Sequence, residues 1–175
     1  MRDAEPVRRL PTVVVLYGPK GSGKSWVADQ LRRRAGVQHV DADRVVLDLL
    51  DRGDRPDPRL GWLDQVEAEV RRAVDEHLLV SVEATGAWDS DWILADRLAV
   101  AGCRVLPVWV TAPLEVTLQR LAVRRGRKVP VSREEARWIH REATRRAAAR
   151  SFTAVLDTSG TPDPSKLDQL VTLLP

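Results

Sequence analysis

The chain reads as an α/β three-layer sandwich: a five-stranded parallel sheet with helices on both faces and a short basic lid. Three observations predict it. Apolar runs of strand length alternate with segments of helical period, the order that builds a parallel sheet covered on both faces. The first apolar run leads straight into Gly18-Pro19-Lys20-Gly21-Ser22-Gly23-Lys24-Ser25, the spacing of a phosphate-binding turn between a strand and a helix. The length of 175 residues suits one domain, 1–175, with a sizeable core.

Each element has its own signal. Thr12 to Tyr17 is a buried strand, and Ser25 to Ala35 a helix closed by Gly36 in the left-handed region. A short strand from Val37 to Val40 leads into Asp41-Ala42-Asp43, where Asp43 is a natural N-cap for a helix starting at Arg44. Asp51 to Pro58 is a loop rich in Asp, Gly and Pro. Leu63 to Leu78 is a helix, with Val66, Val70, Val74 and Leu78 four apart on one face. The apolar run to Val82 is a strand that ends at Glu83, and Asp91 to Ala101 is a helix stopped by Gly102. Arg104 to Val110 is the fourth strand, and Pro113 suits the first turn of a helix running to about Arg125. The lid covers about 125–133 and is basic. Ser132 and Glu135 form a capping-box pattern for a helix reaching Arg150. Ala154 to Asp157 is the fifth strand, followed by a loop to Pro164 and a closing helix from Lys166 to Leu174. Right-handed crossovers then put the functional site at the carboxyl ends of the strands.

Charge is unevenly spread. Asp41 to Val100 holds 15 acidic and 7 basic residues, whereas Arg120 to Arg150 holds 11 basic and 3 acidic. The basic half could hold polyphosphate or be a solvated helix face. Its acidic neighbour argues against a continuous nucleic-acid groove. No apolar stretch approaches the ~20 residues of a membrane span. The first residues, Met1 to Pro6, lack the apolar run of a secretory signal, so the expected location is cytoplasmic. Cys103 is the sole cysteine, and His39, His77 and His140 lack metal-ligand spacing.

The residues at the strand ends suggest phosphoryl transfer. Lys24 is placed to reach the β- and γ-phosphates and Ser25 to hold Mg²⁺. Asp41 and Asp43 can divide two tasks, a contact with metal-bound water and acceptance of a proton from a hydroxyl. A carboxylate isolated after an apolar run, as Glu83 is, rarely stays buried without a partner, which favours a site role. Thr85 and Gly86 would bring backbone near an acceptor. Trp88 and Trp92 either wall its pocket or fill a gap under the helix. Arg120 and Arg124 share a helix face beside the lid, and Arg133, Arg137, Arg141 and Arg145 recur at the same spacing. A triphosphate would neutralise these charges, while the dull account of solvated faces suits Arg145 and Arg146.

Taken together, Gly18 to Ser25, Asp41 with Asp43 and Arg44, Glu83, and Arg120 with Arg124 resemble the adenylate-kinase-like branch of P-loop kinases. The resemblance is strongest to small predicted kinases of the polynucleotide-kinase-like type and covers roughly Val13 to Leu174. It implies a P-loop fold and an ATP-dependent phosphotransferase using Mg²⁺. Gly18, Pro19, Lys20, Gly21, Ser22, Gly23, Lys24 and Ser25 would cradle the phosphates. Arg120 resembles the arginine that packs on adenine and Arg124 the one that holds phosphate, while Thr158-Ser159-Gly160 matches the loop bordering the base. Polynucleotide-kinase-like relatives imply Asp41, three before Arg44, as base; shikimate-kinase-like relatives imply Asp43. The third strand ends Val-Glu where many relatives have Val-Asp, and the shikimate and gluconate motifs are not matched. The expected acceptor is a small hydroxyl compound such as a sugar, nucleoside or antibiotic. Alternatives are a 5′-hydroxyl polynucleotide kinase and a regulatory or toxin-type nucleotide-binding protein. A monomer or homodimer is expected.

Overall fold

In the computed structural model of the chain, residues 10–126, 128–160 and 163–175 are described. The strands are β1 (Thr12–Tyr17), β2 (Gln38–Val40), β3 (Leu79–Ala84), β4 (Arg104–Thr111) and β5 (Ala154–Asp157). They form one sheet in the order β2-β3-β1-β4-β5, and every paired strand runs parallel. β1 is buried along its whole length, as its near-continuous apolar run from Val13 to Tyr17 requires when both sheet faces are covered. Val13, Val15 and Tyr17 enter one core cluster, whereas Val14 and Leu16 enter the other. This is the period-2 division of a pleated strand.

One face carries α1 (Lys24–Ala35) and α7 (Pro164–Thr172), whose buried Val27, Leu31, Leu167 and Leu170 share a cluster. The other carries α3 (Leu63–Glu76), α4 (Asp89–Val100) and α6 (Arg133–Ala147), through Val66, Val70, Leu94, Leu98 and Ile139. The remaining helices are α2 (Ala42–Asp51) and α5 (Leu114–Val123). The expected sandwich is therefore the observed one. No described helix is long and apolar enough to cross a membrane.

Boundaries differ where a helix end depends on tertiary contacts. α3 stops at Glu76 because His77 is extended (φ −133°, ψ 132°), and Leu78 is 52% exposed rather than part of the apolar face. α4 begins at Asp89, two residues early, so Asp91 lies inside its first turn. α2 begins at Ala42 and its cap is Asp41, not Asp43: the Asp41 carboxylate accepts the Arg44 N–H at 3.2 Å. Between α5 and α6, the described residues of the lid have no helix or strand. The stripe Arg133, Arg137, Arg141 and Arg145 faces solvent, because α6 buries Ala136, Ile139, Ala143 and Ala147 instead.

Candidate active site

The phosphate loop is fixed by backbone conformations that L side chains resist. Gly21 has φ +83° and lies so close to α5 that a Cβ would meet the Thr117 carbonyl oxygen at 2.6 Å. Gly23, at φ +94°, is the N-cap of α1. Lys24 begins that helix and is buried; its Nζ donates to the carbonyls of Gly18 (2.7 Å) and Pro19 (3.1 Å). Burial lowers the Lys24 pKa, and the charges of Glu83 and Asp43 oppose the shift. An ammonium group thus sits at the N-terminus of a twelve-residue helix, where two sources of positive potential favour an anion.

Glu83 reaches this loop because β3, and not β2, lies beside β1. The register sets Leu16 opposite Glu83. The Ser25 hydroxyl donates to Glu83 Oε1 at 2.7 Å. Burial pushes the Glu83 carboxyl up; the His39 imidazole, the Lys24 charge and the Ser25 hydroxyl outweigh it and bring the pKa to about 2. His39 stands across the strand pair, its Nδ1 3.0 Å from Ser81 Oγ and its Nε2 3.4 Å from Glu83. The second distance is longer than a well-formed hydrogen bond. Sequence reasoning misses His39 as a site residue. Its signal is the pairing of β2 with β3, which sets His39 against Ser81, two residues before Glu83.

The aspartates part company. Asp43 lines the main cleft, 3.4 Å from Lys20 Nζ and 3.5 Å from an Arg124 nitrogen. Asp41 lies in a separate groove, caps α2 and accepts from Lys128 Nζ of the lid at 2.6 Å. Residues two apart at a helix start do not share a face. Arg44 also borders that groove, with its side chain 82% exposed and 3.9 Å from Asp48. Asp41 and Arg44, expected at the acceptor, line this second groove and not the cleft.

Arg120 lines the cleft and clamps its floor, donating to the Gly21 carbonyl (3.3 Å), the Thr158 hydroxyl (3.0 Å) and the Thr158 carbonyl. Thr158 is buried and its hydroxyl donates to the Ser22 carbonyl at 2.6 Å. That hydroxyl braces the phosphate loop. Ser159 and Gly160 are exposed, and neither lines the cleft.

The loop after β3 folds around a residue that reads from sequence only as a helix start. The Asp91 carboxylate accepts the Thr85 hydroxyl (2.6 Å) and the N–H groups of Gly86 (2.8 Å) and Trp88 (3.3 Å). Burial raises its pKa and these three donors oppose the rise. Thr85 lines the cleft, but its hydroxyl and the Gly86 N–H both donate to Asp91 within the loop. The tryptophans separate too. Trp92 stacks on Tyr17 with centroids 4.2 Å apart and donates to the Gly86 carbonyl, filling the gap under α4. Trp88 lines the cleft and tilts against Trp138 of α6 at 4.6 Å. Arg146, expected on a solvated face, also lines the cleft and pairs with Glu142 (2.7 Å) and Asp89.

The cleft holds about 890 Å³, within the size of small-ligand sites. Among the described residues no three His, Cys, Asp or Glu side chains gather to hold a metal. The hard oxygen donors Ser25 and Glu83, 2.7 Å apart beside a phosphate loop, suit Mg²⁺, which keeps several waters and few protein ligands.

Comparison with known proteins agrees with this geometry. The AAA domain family matches residues 13–149. Cytidylate kinase of Ignicoccus hospitalis is 32% identical over 138 residues, covering 73% of this chain and 77% of that protein. Cytidylate kinase of Haloquadratum walsbyi is 29% identical over 129 residues, covering 71% of this chain. The chain spans just under two thirds of that second protein, 65%. Among solved structures, shikimate kinase from Acinetobacter baumannii in complex with shikimate superposes with a TM-score of 0.63, at 16% identity and with 94% and 93% of the two chains covered. A gluconokinase from Sinorhizobium meliloti 1021 gives 0.60, at 18% identity with 95% and 93% covered. With its family match over residues 13–149, its parallel sheet and its phosphate loop, the chain belongs to the AAA domain family.

Proposed function

We propose that the protein is an ATP-dependent phosphotransferase that moves the γ-phosphoryl group of Mg-ATP to a hydroxyl of a small molecule. The observation that carries this reading is Asp43, a carboxylate facing the cleft beside Lys20 and Arg124 and close enough to Lys24 to influence its charge. The backbone from Gly18 to Ser25 and the Lys24 ammonium bind the β- and γ-phosphates, displacing Nζ from the loop carbonyls it now contacts. Ser25 and Glu83 would hold Mg²⁺, which when bound would supply neutralisation of charge on the phosphate oxygens. Arg124 stabilises charge on the group in flight. Asp43 takes the proton of the acceptor hydroxyl as its oxygen bonds to phosphorus and ADP leaves. Arg120, which braces the loop and Thr158, borders the nucleotide. Residues 125–133 serve as the lid.

A second reading, transfer to a nucleoside monophosphate, is favoured by the names of the cytidylate kinase relatives and by Arg59 and Arg146 in the cleft wall. The placement of Arg44 and Asp41 outside the cleft weighs against a 5′-hydroxyl polynucleotide kinase.

The test follows ADP release from Mg-ATP across nucleosides, sugars, aryl alcohols and CMP. Lys24→Ala should lose turnover by several orders of magnitude, with its circular dichroism unchanged. Stimulation by CMP alone would move the assignment to the second reading. Stimulation only by oligonucleotide 5′ ends would overturn both.

A further inference from the structure

The cleft that holds Asp43 has a second wall that the phosphate chemistry does not use. Trp62 and Val66 come from the start of α3, Trp88 and Leu94 from around α4, and Trp138 from α6. Trp88 is 47% exposed although it tilts against Trp138 at 4.6 Å. A half-uncovered indole paired with a second one inside a concave cleft gives the aromatic lining typical of a small-molecule pocket. The polar side chains of the loop and helices that carry Trp88 and Trp138, namely Thr85, Asp91 and Arg146, are engaged within the protein. Thr85 donates to Asp91, Asp91 accepts two further N–H groups, and Arg146 pairs with Glu142 and Asp89. A polyol seated against this wall would lose water and find these donors and acceptors already taken, which costs free energy for each unsatisfied hydroxyl. A flat ring would lose little and gain stacking and burial against indole.

We propose that the phosphate acceptor carries a flat, largely apolar ring, seated against Trp88 and Trp138, with its reacting hydroxyl directed to Asp43. This rests on the phosphotransferase reading and narrows its acceptor class: ring-bearing alcohols over sugars and sugar acids. Trp88 and Trp138 are then specificity-determining residues that touch the acceptor and leave the nucleotide alone.

The experiment uses a matched pair, 2-phenylpropane-1,3-diol and propane-1,3-diol, which share their hydroxyls and differ by the ring. Binding to the full chain in Mg-ADP is measured by calorimetry, and turnover by ADP release from Mg-ATP. The phenyl compound should bind at least about tenfold tighter than its ringless partner. Trp88→Ala should erase that advantage while leaving the Mg-ATP dissociation constant unchanged, and Trp88→Phe should retain most of it. A melting temperature for each variant separates lost recognition from lost fold; if Trp88→Ala does not fold, Trp88→Phe and the wild-type ratio still decide. Equal affinity for the two diols, or a ring advantage untouched in folded Trp88→Ala, overturns the inference. Ring-dependent, Trp88-dependent binding without any acceptor-stimulated ADP release would uphold the ring site and sink the phosphotransferase reading.

Discussion

Glu83 is held between a lysine, a histidine and a serine hydroxyl, and this sets how the fold responds to acid. Its folded pKa of about 2 lies below its ordinary 4.5. A depressed carboxylate contributes stability that is fully present above pH 4.5 and is lost as pH falls toward 2. A gap of this size corresponds to something on the order of 3 kcal/mol at neutral pH. Glu83→Gln should therefore be less stable than wild type at pH 7, with the difference narrowing from pH 4.5 to pH 3. Urea midpoints at pH 7, 4 and 3 measure it; a pH-independent difference would show that Glu83 is not held as an anion. The aspartates make a second residue-scale contrast. Asp43→Asn should cut kcat by about 10²–10⁴ with its melting temperature unchanged. Asp41→Asn should keep most of its activity and cost up to about 1 kcal/mol through the negative charge lost at the start of α2 and on Lys128, since Asn caps as well as Asp. An inactive, folded Asp41→Asn beside an active Asp43→Asn would restore Asp41 as the base.

At the scale of elements, two glycines with similar backbone angles should behave in opposite ways. Gly36 closes α1 at φ +65°, and a Cβ added there would meet nothing within 4 Å, whereas Gly21 at φ +83° packs against the α5 backbone. Gly36→Ala incurs a left-handed strain of about 1–2 kcal/mol and should keep full activity. Gly21→Ala must also push the phosphate loop off Thr117, so Mg-ATP binding should collapse. Calorimetry with Mg-ATP beside a thermal melt distinguishes the two; intact nucleotide binding in Gly21→Ala would mean that the loop does not need this packing. The same elements show what can be read from sequence. The apolar run into Gly18 and the glycine spacing identify loop, strand and helix together, since all three are local. Glu83 is visible as a carboxylate ending a buried run. His39 is not, because its partner is set by the pairing of β2 with β3. Asp91 looks like the first residue of a helix because the cap three residues earlier is Trp88, which carries no capping oxygen. The arginine stripe on α6 is legible by spacing alone, but burial chooses the opposite face, where Ile139 and three alanines lie.

Across the whole molecule, the site is assembled from segments far apart in the chain. Arg124 meets Asp43, Arg120 braces Gly21 and Thr158, and Lys128 reaches Asp41. None of these contacts survives unfolding, so a ligand that needs them binds the native state and not the unfolded chain. Its binding energy then adds to global stability as RT ln(1 + [L]/Kd), about 2.7 kcal/mol at 100 times Kd. For a chain of 175 residues, that amounts to a rise in melting temperature of roughly 5–10 °C. Mg-ATP should produce this rise with a logarithmic dependence on concentration. Chelating Mg²⁺ should remove most of it, because Ser25 and Glu83 would then face phosphate without a cation between them. Lys24→Ala should abolish the rise even when its own melt in buffer stays close to wild type, since Lys24 donates to carbonyls of its own loop and its larger role is the bound phosphate. Arg124→Ala should keep most of the shift while losing kcat, if that guanidinium acts on the group in transfer more than on bound nucleotide. A melting temperature indifferent to Mg-ATP at millimolar concentration would remove the phosphate loop from function altogether. A shift of full size in Lys24→Ala would place the nucleotide somewhere other than this loop.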